Sequence, residues 1–429
     1  MKILQYILIF FATSPLVFSS LSAQQIGKNI KGSFVLQNAT IHTVTKGNLT
    51  GSVLIEDGRI SAVGAVTTPS SAHIVDCSGL HIYPGLIDGG TTLGLTEVSS
   101  VSLTDDSDEI GDFTPHVQSL TAVNPNSVAI PVTRVNGITT VITKPTGGLF
   151  PGTASLINLV GYTPDQMYAG FKAVMLNFPS SSKRNRWDRR SKEDRKKEGG
   201  KAVKKLNDIW KKAKLHADLI SKGQKTEYNP DLDALVSVVR GQTPLMIEAN
   251  KKDDILAAIK WVRKNKVKAI LSGCSEGFRV VDSLAAAGLP VITGPMMTMP
   301  PRGSDRYDRA YSNAGIMSNG GVKVVIRSNQ SENVRNLPFE AGFAAAYGMG
   351  KEEALKAVTI NAAEVFGLGD QLGSIEVGKV ANIIVTDGDP FETKTQVKHI
   401  FINGWQVPTE SRHTLLYDEF IERSPGLDK

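Results

Sequence analysis

Short, nearly continuous apolar runs recur along the middle of the chain: HIYPGLIDGG (81–90), GITTVITKP (137–145), FKAVMLNFP (171–179), TPLMIEAN (243–250), VKAILSG (267–273), LPVITGP (289–295) and VKVVIRSN (322–329). Helical patterns such as KDDILAAIKWVRK (252–264) and FRVVDSLAAAG (278–288) separate several of them. Apolar strands alternating with helices predict a parallel sheet covered on both faces. Seven or eight such units over about 290 residues fit a (β/α)8 TIM barrel. A doubly wound open sheet competes with it, but no Gly-rich dinucleotide fingerprint supports that alternative.

Both ends of the chain read differently. Residues 33–80 contain short strand patterns, including SVLIEDGRISAV, where Asp57-Gly58 between two apolar runs signals a hairpin. The pattern returns in GSIEVGKVANIIVTDGDP and VKHIFINGWQV. The expectation is an α/β protein with a barrel over 81–371. A small β-sandwich domain is expected from the two chain ends, 33–80 plus 372–410.

Composition narrows the class. The 429 residues are 41% hydrophobic and 21% charged, which excludes a disordered chain, a collagen-like repeat and a multi-span membrane protein. Two cysteines cannot build a disulfide framework. Residues 1–23 carry one Lys, an apolar stretch from Ile3 to Phe11 and small residues ending at Ala23. That pattern predicts a secretory signal and an exported protein, periplasmic or secreted.

The net charge of +6 is local in origin. Residues 183–214 hold 15 Lys/Arg and 5 Asp/Glu, and the remainder beyond the signal is mildly acidic. Val203, Leu206, Ile209, Trp210 and Ala213 recur at helical spacing within that insertion, predicting an amphipathic helix with a cationic outer face. A solvated surface insertion is the simplest reading, with an anionic partner or membrane surface as the alternative. No nucleic-acid module accompanies the charge, so nucleic acid is not an expected partner.

The phrase YPGLID (83–88) resembles the start of the catalytic barrel in the amidohydrolase superfamily, whose pattern is PGLIDxHxH. GITTVITKPTGG (137–148) is similar to the second strand of its imidazolonepropionase-like branch. The segment LPFEAG…NAAEVFGL…GSIEVGK…DGDPF (337–391) follows that branch's C-terminal signature. The resemblance implies hydrolysis of carbon–nitrogen bonds by metal ions at the C-terminal mouth of the barrel. His side chains would supply most ligands and an Asp on the last strand would act as base.

The corresponding positions here carry other residues. The first-strand His-x-His falls on Gly90 and Thr92, and the middle-strand carboxylate or Lys falls near Asn177. The strand-five His falls on Glu248, the strand-six His near Gly273, and the last-strand Asp on Asn329. None of His42, His73, His81, His116, His216, His399 and His413 falls on a ligand position. The expectation is therefore no metal and no other cofactor.

Other groups are weighed against plainer roles. Lys144, after the second strand, is read as an anion-binding or Schiff-base lysine, or as the ion-pair partner of Glu248. Asp105, Asp106, Asp108, Glu109 and Asp112 form an acidic loop, read as solvated, as a weak calcium site or as a contact for basic groups. Cys274 is read as buried and structural rather than nucleophilic. The Met/Pro-rich loop 295–301 is read as packing, with pocket lining as the alternative. Two functions remain. One is a pseudoenzyme, binding a small polar ligand or pairing with a related barrel as a homo- or hetero-oligomer. The other is a hydrolase with an altered site, using Glu248 as base.

Overall fold

The structure, a computed structural model, describes residues 27–180 and 191–423. The signal-like segment 1–23 and residues 183–190 of the basic insertion lie outside the described residues. Five strands come first: β1 (Phe34–His42), β2 (Asn48–Glu56), β3 (Arg59–Gly64), β4 (His73–Asp76) and β5 (His81–Pro84). Then follow β6 (Leu86–Thr91), β7 (Ile138–Thr143), β8 (Thr153–Asn158), β9 (Tyr168–Asn177), β10 (Leu245–Ala249), β11 (Ala269–Gly273), β12 (Val291–Thr293) and β13 (Val324–Ile326). The chain closes with β14 (Ile383–Thr386), β15 (Val397–Ile402) and β16 (Trp405–Val407).

The first sheet runs β16-β15-β14-β5-β1-β2-β3, with β4 against the first half of β1. Asp57 and Gly58 both adopt positive φ, 48° and 79°, between paired Glu56 and Arg59. This is the backbone that a two-residue hairpin loop requires. β5 pairs with β14, so the two chain ends meet there. Phe34, Leu36, Ile55, Ile383 and Phe401 fill the small sandwich core.

The second sheet runs β13-β12-β11-β10-β9-β8-β7-β6 and wraps into a nearly closed TIM barrel with helices outside. The apolar run 81–90 divides at Gly85: its first half belongs to the sandwich and its second to the barrel. β8 is a strand that the apolar runs do not announce, and it lies antiparallel to both β7 and β9. Only nine residues separate it from each neighbour. A parallel crossover needs a dozen or more, so the chain can only turn back on itself here.

The seam between β6 and β13 has no regular ladder. It is joined by the Asn329 N–H donating to the Gly90 carbonyl at 3.0 Å, and by the Ser328 N–H donating to Asp88 at 3.1 Å. Asp88 also accepts from the Gly90 N–H at 2.9 Å and is wholly buried. Burial pushes its carboxyl up to about 7, against the opposing pull of these N–H groups and of Arg327. Between about pH 4 and pH 7 the folded state therefore binds more protons here than the unfolded state, and stability falls as pH rises. Asp88→Asn is expected to remove that slope, which approaches about 1.4 kcal/mol per pH unit at its steepest. Urea unfolding of both proteins at pH 4.5, 5.5 and 7 reads it.

The described part of the basic insertion is a helix, Lys192–Ser221, capped by Ser191, whose hydroxyl accepts from the Asp194 N–H. Leu206, Trp210, Ala213 and Ala217 are buried and share one face. Trp210 meets Trp261 edge to face at 5.3 Å, and Asn207 accepts from the Trp261 indole N–H at 3.1 Å. The inner side of the insertion is thus part of the barrel's outer core. Among the described residues, no helix is long and apolar enough to cross a membrane.

Candidate functional site

The strand ends at the C-terminal mouth bring Gly90, Lys144, Glu248 and Gly273 together around a residue the sequence reading does not single out, Arg327. Arg327 directly follows β13 and is 3% exposed. Its Nη1 donates to Glu248 Oε2 at 2.7 Å and its Nη2 to Glu248 Oε1 at 2.8 Å, a bidentate pair spanning the barrel. Nη1 also donates to the Ser272 hydroxyl at 2.6 Å, which in turn donates to Glu248 Oε2 at 2.9 Å. The Asn250 amide donates to Glu248 Oε1 at 3.0 Å. The one signal for Arg327 in the sequence is a cation directly at the end of the apolar run VVI.

This geometry corrects one expectation and weighs against another. The ion-pair partner of Glu248 is Arg327, not Lys144. Glu248 also makes a poor base: burial pushes its carboxyl up, but the charge and hydrogen bonds of Arg327 outweigh that and hold it well below the usual carboxylate range.

Lys144 runs beside Gly90, its Cε 3.5 Å from where a Cβ on that glycine would stand, and is 8% exposed. Burial and the neighbouring Arg327 charge push its ammonium down to about 8. A side chain at Gly90 would also meet Arg327 Cδ at 3.3 Å. At Gly273, where φ is +85°, a Cβ would overlap the carboxylate of Glu248 and the amide of Asn250. The space next to both backbones is therefore filled by neighbouring side chains.

The remaining predicted positions lie at the edge. Thr92 is half-buried beside the seam, where its N–H donates to the Gln330 carbonyl at 3.0 Å. Asn329 is exposed in left-handed backbone at φ 54°, which Asn tolerates. Asn177, although opposite Glu248 in the β9–β10 register, turns away from the pair. Its amide donates to the carbonyls of Gly147 and Gly148 at 2.5 and 2.8 Å, tying down the β7–β8 turn. A carboxylate there would face two carbonyl oxygens.

A divalent metal of the kind the resemblance implies does not fit this donor set. Its two innermost side chains are cations, and the carboxylate facing them spends its oxygens on Arg327, Ser272 and Asn250. Among the described residues, no group of three or more His, Cys, Asp or Glu side chains gathers to hold an ion.

The histidines have other partners: His116 contacts Asp231 at 2.6 Å, His216 contacts Asp233 at 2.7 Å, and His42 contacts His81 at 3.0 Å. Burial pushes the Cys274 thiol up, and both cysteines are free and buried. In the acidic loop, Asp105 accepts from Thr96 and Ser107, while Asp112 pairs with Lys205 of the basic helix at 2.7 Å. Met296 of the Met/Pro-rich loop is buried in the main core.

Eight strands, outer helices and charged groups at the C-terminal ends define a TIM-barrel protein whose candidate site lies at the mouth. Residues 287–407 match the family model described as "Amidohydrolase family". An imidazolonepropionase of Thermoplasma volcanium is 38% identical over 120 residues, 26% of this chain and 30% of that protein. Amidohydrolase tasK of Hapsidospora irregularis is 22% identical over 396 residues, 82% of this chain and 39% of that protein. The chain thus spans well under half the length of either relative. Among solved structures, an amidohydrolase from Thermotoga maritima shares the fold with a TM-score of 0.75 at 24% identity, over 88% of this chain and 100% of that one. Residues 287–407 thus match the amidohydrolase family, and most of the chain shares the fold of an amidohydrolase.

Proposed function

We propose that the chain is an exported, non-catalytic member of its superfamily that has lost the metal site and binds a small polar ligand at the mouth, alone or as the partner of a related barrel. The Arg327–Glu248 pair carries this reading. A bidentate guanidinium–carboxylate pair lies where metal ligands would converge, and the positive charge there comes from Arg327 and Lys144. Fixed cations can hold an anionic or carbonyl-bearing ligand by hydrogen bonds, but they cannot bind and activate water as a Lewis-acidic ion does. A hydrolase built on Glu248 is disfavoured, because that carboxylate is committed to Arg327.

Metal analysis of protein grown in zinc- or manganese-supplemented medium tests the loss. The expected content is well below one equivalent per chain, and one tightly bound equivalent sinks the reading. Charge reversal at Lys201, Lys204 and Lys211 tests a docking role for the helix. It alters the cationic outer face and leaves the buried Trp210 side in place. Unchanged co-purification with a second barrel removes that role.

A further inference from the structure

We propose that Lys144 is an imine-forming lysine at which a small anionic carbonyl compound, of the 2-oxo acid class, condenses with the chain. This deepens the reading above and rests on the mouth being metal-free.

The geometry isolates one amine. Glu248 is taken by Arg327, Ser272 and Asn250, and Asp88 by the backbone of Gly90 and Ser328. Lys144 is 8% exposed, and among the described residues Glu248 and Asp88 act on its ammonium through charge, without a hydrogen bond to Nζ. Burial and the Arg327 charge disfavour the ammonium more than the Glu248 and Asp88 carboxylates favour it, so shedding its proton relieves a cost. With its titration pushed down to about 8, roughly a tenth of the side chain is free amine at pH 7. For an ordinary exposed lysine the fraction is below about 0.1%.

Gly90 lets the stems of Lys144 and Arg327 lie side by side against bare backbone. Two cations face one fully charged carboxylate, with Asp88 near its midpoint at neutral pH, so the mouth favours an anion. Nη2 of Arg327 spends one of its two N–H groups on Glu248 Oε1, leaving the other for a ligand carboxylate.

The step is a condensation. The free amine of Lys144 attacks the carbonyl carbon and forms a C–N bond, and an amine proton passes to the carbonyl oxygen, giving a carbinolamine. Loss of that hydroxyl with a proton releases one water and leaves a C=N bond. Protonation of the imine nitrogen restores the positive charge beside Glu248. No oxidant or reductant is consumed.

The test is reductive trapping of the full chain with pyruvate and sodium cyanoborohydride, read by intact mass and peptide mapping. We expect one adduct on Lys144, forming about tenfold or more faster than on any exposed lysine, and faster with pyruvate than with acetaldehyde. Its rate should rise with a midpoint near pH 8, and the adduct should disappear in Lys144→Arg. The wild-type map decides the matter even if that variant folds poorly. Adducts spread over exposed lysines without enrichment at Lys144, or no adduct at all, overturn the proposal. Metal content of the same preparation is read separately. A metal-loaded protein defeats the reading of the mouth, whereas a metal-free protein without adduct defeats only the imine.

Discussion

Arg327→Met is expected to cost about 3–5 kcal/mol of unfolding free energy at pH 7, and Arg327→Met combined with Glu248→Leu to recover most of it. The single change leaves a carboxylate inside the barrel mouth with Ser272 and Asn250 as its hydrogen-bond partners and only the Lys144 charge to oppose its burial. Taking a charge out of water costs several kcal/mol, and Arg327 supplies the offset through two short hydrogen bonds and its full charge. Replacing both members removes the desolvation penalty along with the attraction, so the double variant returns towards the parent. The pH dependence provides an internal control. Arg327 holds the Glu248 carboxyl below its ordinary range, so the pair's contribution is present above about pH 4.5 and is lost as pH falls through the folded-state value. In Arg327→Met burial acts unopposed by the guanidinium, the carboxyl titrates higher, and the deficit shrinks as the medium is acidified. Urea unfolding at pH 4.5 and pH 7 checks both statements. A single variant within 1 kcal/mol of the parent would mean that the pair does not lock the mouth.

Trp210→Ala is the second large effect, about 3–5 kcal/mol, because it removes the largest buried side chain on the inner face of the helix Lys192–Ser221. The loss should be local in its consequences. Amide exchange along that helix should accelerate strongly, while strands β10 and β11 keep their protection relative to the global unfolding rate. Lys205→Ala, which removes an exposed pair with Asp112, serves as the contrast and should change stability by less than about 1 kcal/mol. Equal effects of the two substitutions would show that the helix is held by charge rather than by its apolar face.

Much of this architecture is legible in the chain. Seven of the eight barrel strands follow from apolar runs, and the union of the chain ends in one sandwich follows from matching strand patterns. The helical phase of Leu206, Trp210 and Ala213 marks the face that packs. What escaped has identifiable causes. β8 is a short run whose direction periodicity cannot show; only the nine-residue connections on either side carry that information. Asn177 falls at the right register, but register does not say that its amide is claimed by the Gly147–Gly148 turn. The pairing of Glu248 depends on which of two cations reaches across the barrel. Lys144 and Arg327 stand at equivalent strand ends, and side-chain direction alone separates them. The seam role of Asp88 was hidden because its partners are backbone groups of Gly90 and Ser328, which no side-chain motif records.

That seam bears on the order in which the molecule assembles. Asp88 and Ser328 stand 240 residues apart in the chain, so the first and last barrel strands meet only after everything between them has been gathered in. The outer edge of β6 can find its partner only when β13, seven strands further along the chain, has been gathered in. A buried carboxylate that accepts N–H groups from both sides is suited to be the final clasp: it asks for two or three amides in position rather than a whole ladder in register. Barrel closure is thus a late event, and the joining of β14 to β5, through which β15 and β16 extend the sandwich sheet, depends on the same long-range meeting of the chain ends.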